Sequence, residues 1–549
     1  MNRIFATILF AGSLVMAPLA FAQSTRADAE KDPVLKAMLT ELDRSTSQLQ
    51  LPGFAKPFYI QYRIEGLDEF ETRAEFGATE GSSLTRERVA RVIVRVGDYK
   101  TDSSGGRGDG SVQLTGLDDD PIAIRSALWM ATDEAYKNAL AAYAQKQAAL
   151  KQVQTPPQAD DFSHEKPLIS LAEPAQLSVD EPAWTERVAR ASGLYRTDAT
   201  VKANKQDLQY CSSDFRARAV TTWLVTSEGT IVRKSATEYA ESFQAGTQAS
   251  DGMRLDRSFA TQGTAPSELD SEDAFNHHAV AEIASLNDLR QAPLVDEEYH
   301  GPLLMSADAG TETLRALLAG SVTATRPKLG TEARTNGAFA SSYQARVLPD
   351  FIDVVDDPTL KTFNGKGLLG AYDVDDEGVP AQPVKLVTDG RLVNYLLGRE
   401  PVKDFPASNG HGRASLATGP RPSIGVLKIT AANGLSDAEL NQKLLDMAKD
   451  RGLASVYYVE TLAGARNPRL LYRITPDGKR QLVRGAEIDD IDLRALRSSI
   501  DVAGKDLWIE NSYGEVPVTV IAPALLFDDA TVKRANEKND KLPFYPPPD

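Results

Sequence analysis

A two-domain α+β protein follows from three observations: a length of 549 residues, a β-rich beginning interrupted by one long helical stretch, and hairpin signals crowded into the second half. A single hydrophobic core rarely grows beyond about 250–300 residues, so a chain of this size is expected to divide. Apolar residues at 42% and charged residues at 25% are ordinary for globular protein, which lets both parts support a packed core.

The chain begins with the pattern of an export signal. Arg3 supplies a small positive start, Ile4–Met16 an apolar stretch, and Ala20-Phe21-Ala22 a small-residue cleavage site before Gln23. The expectation is removal of residues 1–22 and a periplasmic or extracellular mature protein. No later run reaches the roughly 18 apolar residues that cross a bilayer, and no cysteine follows the cleavage site to take a lipid, so stable membrane insertion is not expected.

Residues 23–299 are read as a mixed sheet with helices. Phe58–Ile64 and Val89–Val96 have the composition and alternation of strands. From Pro121 to Val153, Leu128, Ala135, Ala139 and Tyr143 recur at helical spacing behind a favourable proline, predicting one long helix, broken at most once. At about 1.5 Å per residue it runs to about 50 Å, long enough either to project toward a partner or to lie across its own domain. Residues 155–184 combine prolines and acids without periodicity and read as a surface insertion. Ala219–Arg233 reads as a hairpin around Ser227-Glu228-Gly229.

Residues 300–540 are expected to form the second domain. Val384–Val387 pairs with Leu392–Leu396 across Thr388–Arg391, and Leu470–Ile474 with Gln481–Val483 across Pro476-Asp477-Gly478. One helix interrupts them, opened by a capping box of Ser436 and Glu439, striped by Leu440, Leu444 and Met447, and closed by Gly452. Residues 541–549 are a proline-rich tail.

A net charge of −16 argues against nucleic acid as a partner, because phosphate neutralisation needs clustered Lys and Arg. Cys211 is the only cysteine, so no internal disulfide forms, and without a nearby histidine it reads as a small buried side chain. The histidines are His164, His277, His278, His300 and His411. His164-Glu165 lacks the second histidine one turn on, and adjacent His277-His278 point to different faces, so neither pair fits a metal site. Asp373–Gly378 mimics the start of a calcium loop, but its twelfth position is Val384, and a hairpin turn accounts for it. Gly105–Gly110 lacks the Lys-Ser/Thr ending of a phosphate loop. No G-x-S-x-G elbow occurs.

Four ordered segments carry a resemblance: Asp375-Asp376-Glu377-Gly378-Val379-Pro380, Asn409-Gly410-His411-Gly412-Arg413, Leu482-Val483-Arg484-Gly485-Ala486 and Ala522-Pro523-Ala524-Leu525-Leu526. Their order and spacing resemble the TldD/PmbA family, metallopeptidase-like proteins also linked to DNA gyrase. The resemblance implies a β-rich, barrel-like C-terminal domain. It also implies a groove, for which Asp376, Glu377, Gly378, His411, Gly412, Arg413, Arg484 and Gly485 are the candidate residues; His411 is read either as a groove contact or as a solvent-facing turn residue.

In the family's zinc-bearing member, two histidines and a glutamate on one helix, completed by a cysteine near the C-terminus, hold the metal. The matching helix here is expected at Gly310–Ser321, where Glu312 is the only carboxylate and no imidazole occurs; the cysteine position falls near Asn511-Ser512-Tyr513. The resemblance therefore implies no catalytic or metal-binding residues and no cofactor, with zinc as the alternative. It implies a peptide-binding or partner subunit, paired with itself or with a zinc-bearing relative. The other readings are an active peptidase with rearranged ligands and an envelope-associated structural module. An exported protein does not meet gyrase, so that association is not carried over.

Overall fold

The computed structural model describes residues 24–203 and 207–536. The leader with Ala20 and Ala22 and the tail 541–549 lie outside them. The chain opens with helices α1 (Arg26–Ala29) and α2 (Pro33–Gln48), the latter capped by Asp32, whose carboxylate accepts from the Val34 and Leu35 amides. Two 19-residue strands, β1 (Pro57–Glu75) and β2 (Ala78–Val96), then form a hairpin. Short β3 (Ser111–Leu114) borders β2 before the long helix α3 (Pro121–Leu150).

Helix α3 is unbroken and three residues shorter than expected. It lies across its own sheet, burying Ile124, Leu128, Ala135, Tyr136 and Ala139 against β2 and α2. The insertion 155–184 contains strand β4 (Ile169–Leu171) and the start of α4 (Glu181–Ser192). Helical turns α5 (Leu194–Thr197) and α6 (Ala199–Ala203) lead into strands β5 (Leu208–Thr226), β6 (Ile231–Gln248) and β7 (Arg254–Gly263). The hairpin predicted around Ser227–Gly229 is thus the tip of a pair far longer than the sequence pattern shows. The first sheet runs β3-β2-β1-β5-β6-β4, with β7 also on β6 and only β4–β6 parallel. Cys211 is buried on β5, and burial pushes its thiol up to about 12.

Helix α7 (Glu272–Gln291) packs Phe275, Ile283 and Leu286 on the first sheet and meets Leu470 of the second, joining the halves. The second half introduces β8 (Tyr299–Met305), helix α8 (Ala307–Leu318), β9 (Ile352–Asp356), the paired two-residue strands β10 (Thr362–Phe363) and β11 (Lys366–Gly367), then β12 (Val384–Thr388) and β13 (Arg391–Leu392). A second small pair, β14 (Gly412–Arg413) and β15 (Arg421–Pro422), precedes β16 (Val426–Ala431) and helix α9 (Asp437–Asp450). The Ser436–Glu439 capping box opens α9 as predicted, and Gly452 follows it with φ +63°. Last come β17 (Val456–Ala463), β18 (Asn467–Ile474), β19 (Arg480–Val483), β20 (Ala486–Asp489), helix α10 (Leu493–Ser498), β21 (Ile500–Ser512) and β22 (Val518–Arg534).

The fold is α+β, but the expected barrel-like closure is absent. The 11-stranded sheet runs β13-β12-β9-β16-β22-β8-β17-β18-β19, and its ends do not pair. The cause is β22, which changes partners along its length: β21 then β20 on one side, β16 then β8 on the other. A strand shared in this way splits a sheet instead of curling it into a ring. Among the described residues, no helix is long and apolar enough to cross a membrane.

Candidate functional site

The acidic motif forms a tight turn buried between the two sheets. Asp375 organises it: Oδ1 accepts from the Glu377 and Val379 amides at 2.9 and 2.8 Å, and Oδ2 from the Gly412 amide at 2.9 Å. Burial pushes the Asp375 carboxyl up to about 6 against those three hydrogen bonds. Gly378 holds φ +80° at the tip, where a Cβ would sit 2.7 Å from Thr230 Cγ2 of β6's leading turn. This is more than the hairpin turn expected, because its side chains reach into the first sheet.

Asp376 is the main link. Its Oδ1 meets Lys234 Nζ of β6 at 2.5 Å, and its Oδ2 accepts from the Ala414 amide at 2.8 Å. Burial alone would raise this carboxyl, but Lys234, Arg63 and Arg413 outweigh it and hold the carboxyl below its ordinary value. Arg63 of β1 is itself buried and donates to the Ser415 and Thr418 carbonyls at 2.5 and 2.9 Å. Arg413 stacks its guanidinium 4.3 Å over the Tyr372 ring and reaches the Pro517 carbonyl.

Glu377 and Arg399 complete the network. Glu377 Oε2 accepts from the Arg399 amide at 2.6 Å, while burial and then Asp375 push the carboxyl up to about 8. Glycine is required beside it: a Cβ on Gly398 or Gly412 would lie 2.5 or 2.3 Å from Oε2. The Arg399 guanidinium bridges both oxygens of Glu228, at the β5–β6 tip, at 2.6 and 2.9 Å, and donates to the Ser163 carbonyl at 2.6 Å.

A pH dependence follows. A glutamate with an ordinary value of 4.5 loses its proton there when unfolded, whereas folded Glu377 keeps it to about 8. Between these values the folded state binds more protons, so stability falls as pH rises through that window, with Asp375 adding in the same direction. Glu377→Gln is expected to flatten the fall. Urea midpoints of both proteins at pH 5 and pH 8 check this; an unchanged slope would assign the titration to another group.

His411 is neither a groove contact nor a solvent-facing turn residue. It is fully buried, with Nδ1 2.9 Å from the Asn409 carbonyl oxygen and Nε2 3.1 Å from Asp356 Oδ1. It ties the Asn409–Arg413 loop to the end of β9. Arg484 and Gly485 lie elsewhere: Arg484 donates to the Ala292 carbonyl at 3.0 Å and to Asp251 at 2.9 Å, and Gly485 faces Met253 and Leu294. The motifs therefore serve two different places where the first half meets the second. Sequence reading missed Arg399, Glu228, Lys234 and Arg63; Glu228 at a predicted turn tip was the one available signal.

The helix matched to zinc binding starts earlier than expected, at Ala307 under a Ser306 cap, so it carries Asp308 as well as Glu312. Arg315 fills the space a cation would need: its Nη2 lies 2.7 Å from Glu312 and its Nε 2.7 Å from Glu510 of β21. Burial raises the Asp308 carboxyl and pushes Glu510 up to about 7, the latter opposed by Arg315 and aided by Glu312. Near the expected cysteine position, Asn511 is spent on Leu369, Gly367 and Thr519. Among the described residues no three His, Cys, Asp or Glu side chains converge as a metal site would need. These donors do not fit zinc.

Comparison with known proteins defines the class. Residues 300–534 match the family model described as the PmbA/TldA metallopeptidase C-terminal domain. These residues belong to the C-terminal domain of the TldD/PmbA family. In fold it is similar to TldE from Thermococcus kodakarensis, at 13% identity and a TM-score of 0.60 over 90% of this chain and 100% of that one. It is also similar to a Thermotoga maritima protein named as a candidate modulator of a DNA gyrase, at 15% identity and a TM-score of 0.57 over 86% and 96%. A metalloprotease of Synechocystis sp. is 40% identical over 75 residues, 12% of this chain and 16% of that protein. One from Archaeoglobus fulgidus is 29% identical over 129 residues, 23% and 26% of the two chains. The chain thus spans only about a sixth to a quarter of the length of these curated relatives.

Proposed function

We propose that this protein is an exported member of the family that works without zinc of its own, as a peptide-binding or partner subunit in a dimer with itself or with a zinc-bearing relative. The observation that carries the reading is Arg315, held between Glu312 and Glu510 on the helix matched to metal binding. A guanidinium stays charged at any working pH, so it occupies both carboxylates and repels a metal cation. The outer part of β2 supports a binding role. Among the described residues, Thr79–Glu87 pairs only with β1, which leaves a strand edge able to take an extended peptide.

Elemental analysis of protein purified without chelators or a histidine tag tests the proposal. The expected result is zinc far below one ion per chain. Near-stoichiometric zinc would overturn the reading and return the chain to the metallopeptidases.

A further inference from the structure

A cavity of about 590 Å³ opens between the first sheet, α3 and the second half, within the usual size range of small-ligand sites. Glu377, Arg399, Arg95 and Phe162 line its depth, and Lys146, Arg326 and Arg421 its outer part. It is separate from α8 and its Arg315 ion pairs, so its occupancy does not depend on how the zinc question is answered.

Glu377 is 8% exposed and has one oxygen engaged, Oε2 with the Arg399 amide. Among the described residues nothing donates to or accepts from Oε1, which leaves that oxygen to the cavity. With Oε2 already accepting, the proton of the neutral carboxyl resides on Oε1 and makes it a donor. Burial keeps that neutral form dominant to about pH 8.

The surroundings favour an oxygen acceptor over an ammonium group. The Arg95 and Arg399 guanidiniums lie 4.2 and 3.9 Å from the centre of the Phe162 ring, beside the carboxyl. Farther out, Lys146 and Arg326 share Asp161, each at 2.5 Å, while Lys146 also lies 3.5 Å from Asp102, the partner of Arg95; among the described residues, Arg326 has its one ion pair in the shared carboxylate. Arg421 is the freest cation, with a side chain 75% exposed and 3.8 Å from Asp109.

We propose that this cavity binds a short, acylated peptide with a free carboxylate, a backbone carbonyl accepting from Glu377 Oε1 and the carboxylate turned toward Arg326, Lys146 and Arg421. The donor at depth fixes where the chain enters, and the outer cations select its charged end.

Titration calorimetry of the full chain with N-acetyl-trialanine, as free acid and as amide, tests this. Saturable binding of the acid is expected, with the amide about tenfold weaker, the loss of roughly one charge-assisted hydrogen bond. Arg421→Glu, at a side chain 75% exposed, is expected to weaken the acid by at least about tenfold while leaving the melting temperature unchanged. No saturable binding of either peptide, equal affinity for acid and amide, or undiminished affinity in Arg421→Glu would overturn the proposal.

Discussion

Arg399→Met is expected to lower the unfolding free energy by about 3–5 kcal/mol, the usual cost of removing one partner from a buried ion pair. Arg399 is 2% exposed, and its guanidinium satisfies both Glu228 oxygens and the Ser163 carbonyl while stacking on Phe162. Methionine fills much of the volume but strands a carboxylate between the sheets, where only the Tyr99 hydroxyl, 2.7 Å from Oε1, still reaches it. Urea denaturation of Arg399→Met, Glu228→Gln and the double variant checks the expectation. The double variant should cost clearly less than the two singles together, since each single leaves the other partner unmatched. A loss below about 1 kcal/mol in Arg399→Met would mean that water screens the pair as it does at a surface.

Gly410→Ala is expected to cost about 2–5 kcal/mol, combining the penalty of a left-handed non-glycine backbone with that of overpacking. Gly410 has φ +76°, and a Cβ there would lie 2.2 Å from the Pro380 carbonyl oxygen and 2.9 Å from its carbon. Both obstacles are backbone, so no rotamer change relieves them, and movement would disturb the loop that carries His411. Gly485→Ala provides the contrast. Its φ of +70° is similar, but its Cβ would meet Leu294 Cδ2 and Met253 Cε, the ends of side chains that can turn away. Chemical denaturation of the two variants should rank Gly410→Ala as the more damaging; the reverse order would show that the Pro380 segment yields easily.

Local chemistry was legible in the sequence wherever a few neighbouring residues decide the outcome. Ser436 and Glu439 specify the start of α9, and Asp389-Gly390 a turn with both residues at positive φ. The start of α8 was missed although Ser306 and Asp308 are a usable cap and first-turn acid. The candidate site was legible only as motifs. Asp376, Glu377, Gly378, His411, Gly412 and Arg413 do assemble, but what surrounds them comes from far away in the chain. Lys234 and Arg63 have nothing in their own neighbourhoods to announce a role at Asp376 and Ser415, and the burial of His411 depends on Asp356 and the sheet behind it. Periodicity likewise says nothing of how β22 divides its partners, so the open sheet could not be foreseen.

The β5–β6 tip has a consequence for how the protein is made. Glu228 leaves the ribosome 171 residues before Arg399, and at about 5–20 residues per second that is a wait of about 10–30 s. Lys234 waits a similar time for Asp376, and Arg63 about twice as long for the Ser415 carbonyl, 352 residues on. During that interval Glu228 lacks the cation that pairs it in the finished protein, whereas Arg63 already has Glu65 of its own strand at 3.5 Å. The first half can build its own core early, but the seam at the β5–β6 tip closes only after residue 399 has been made.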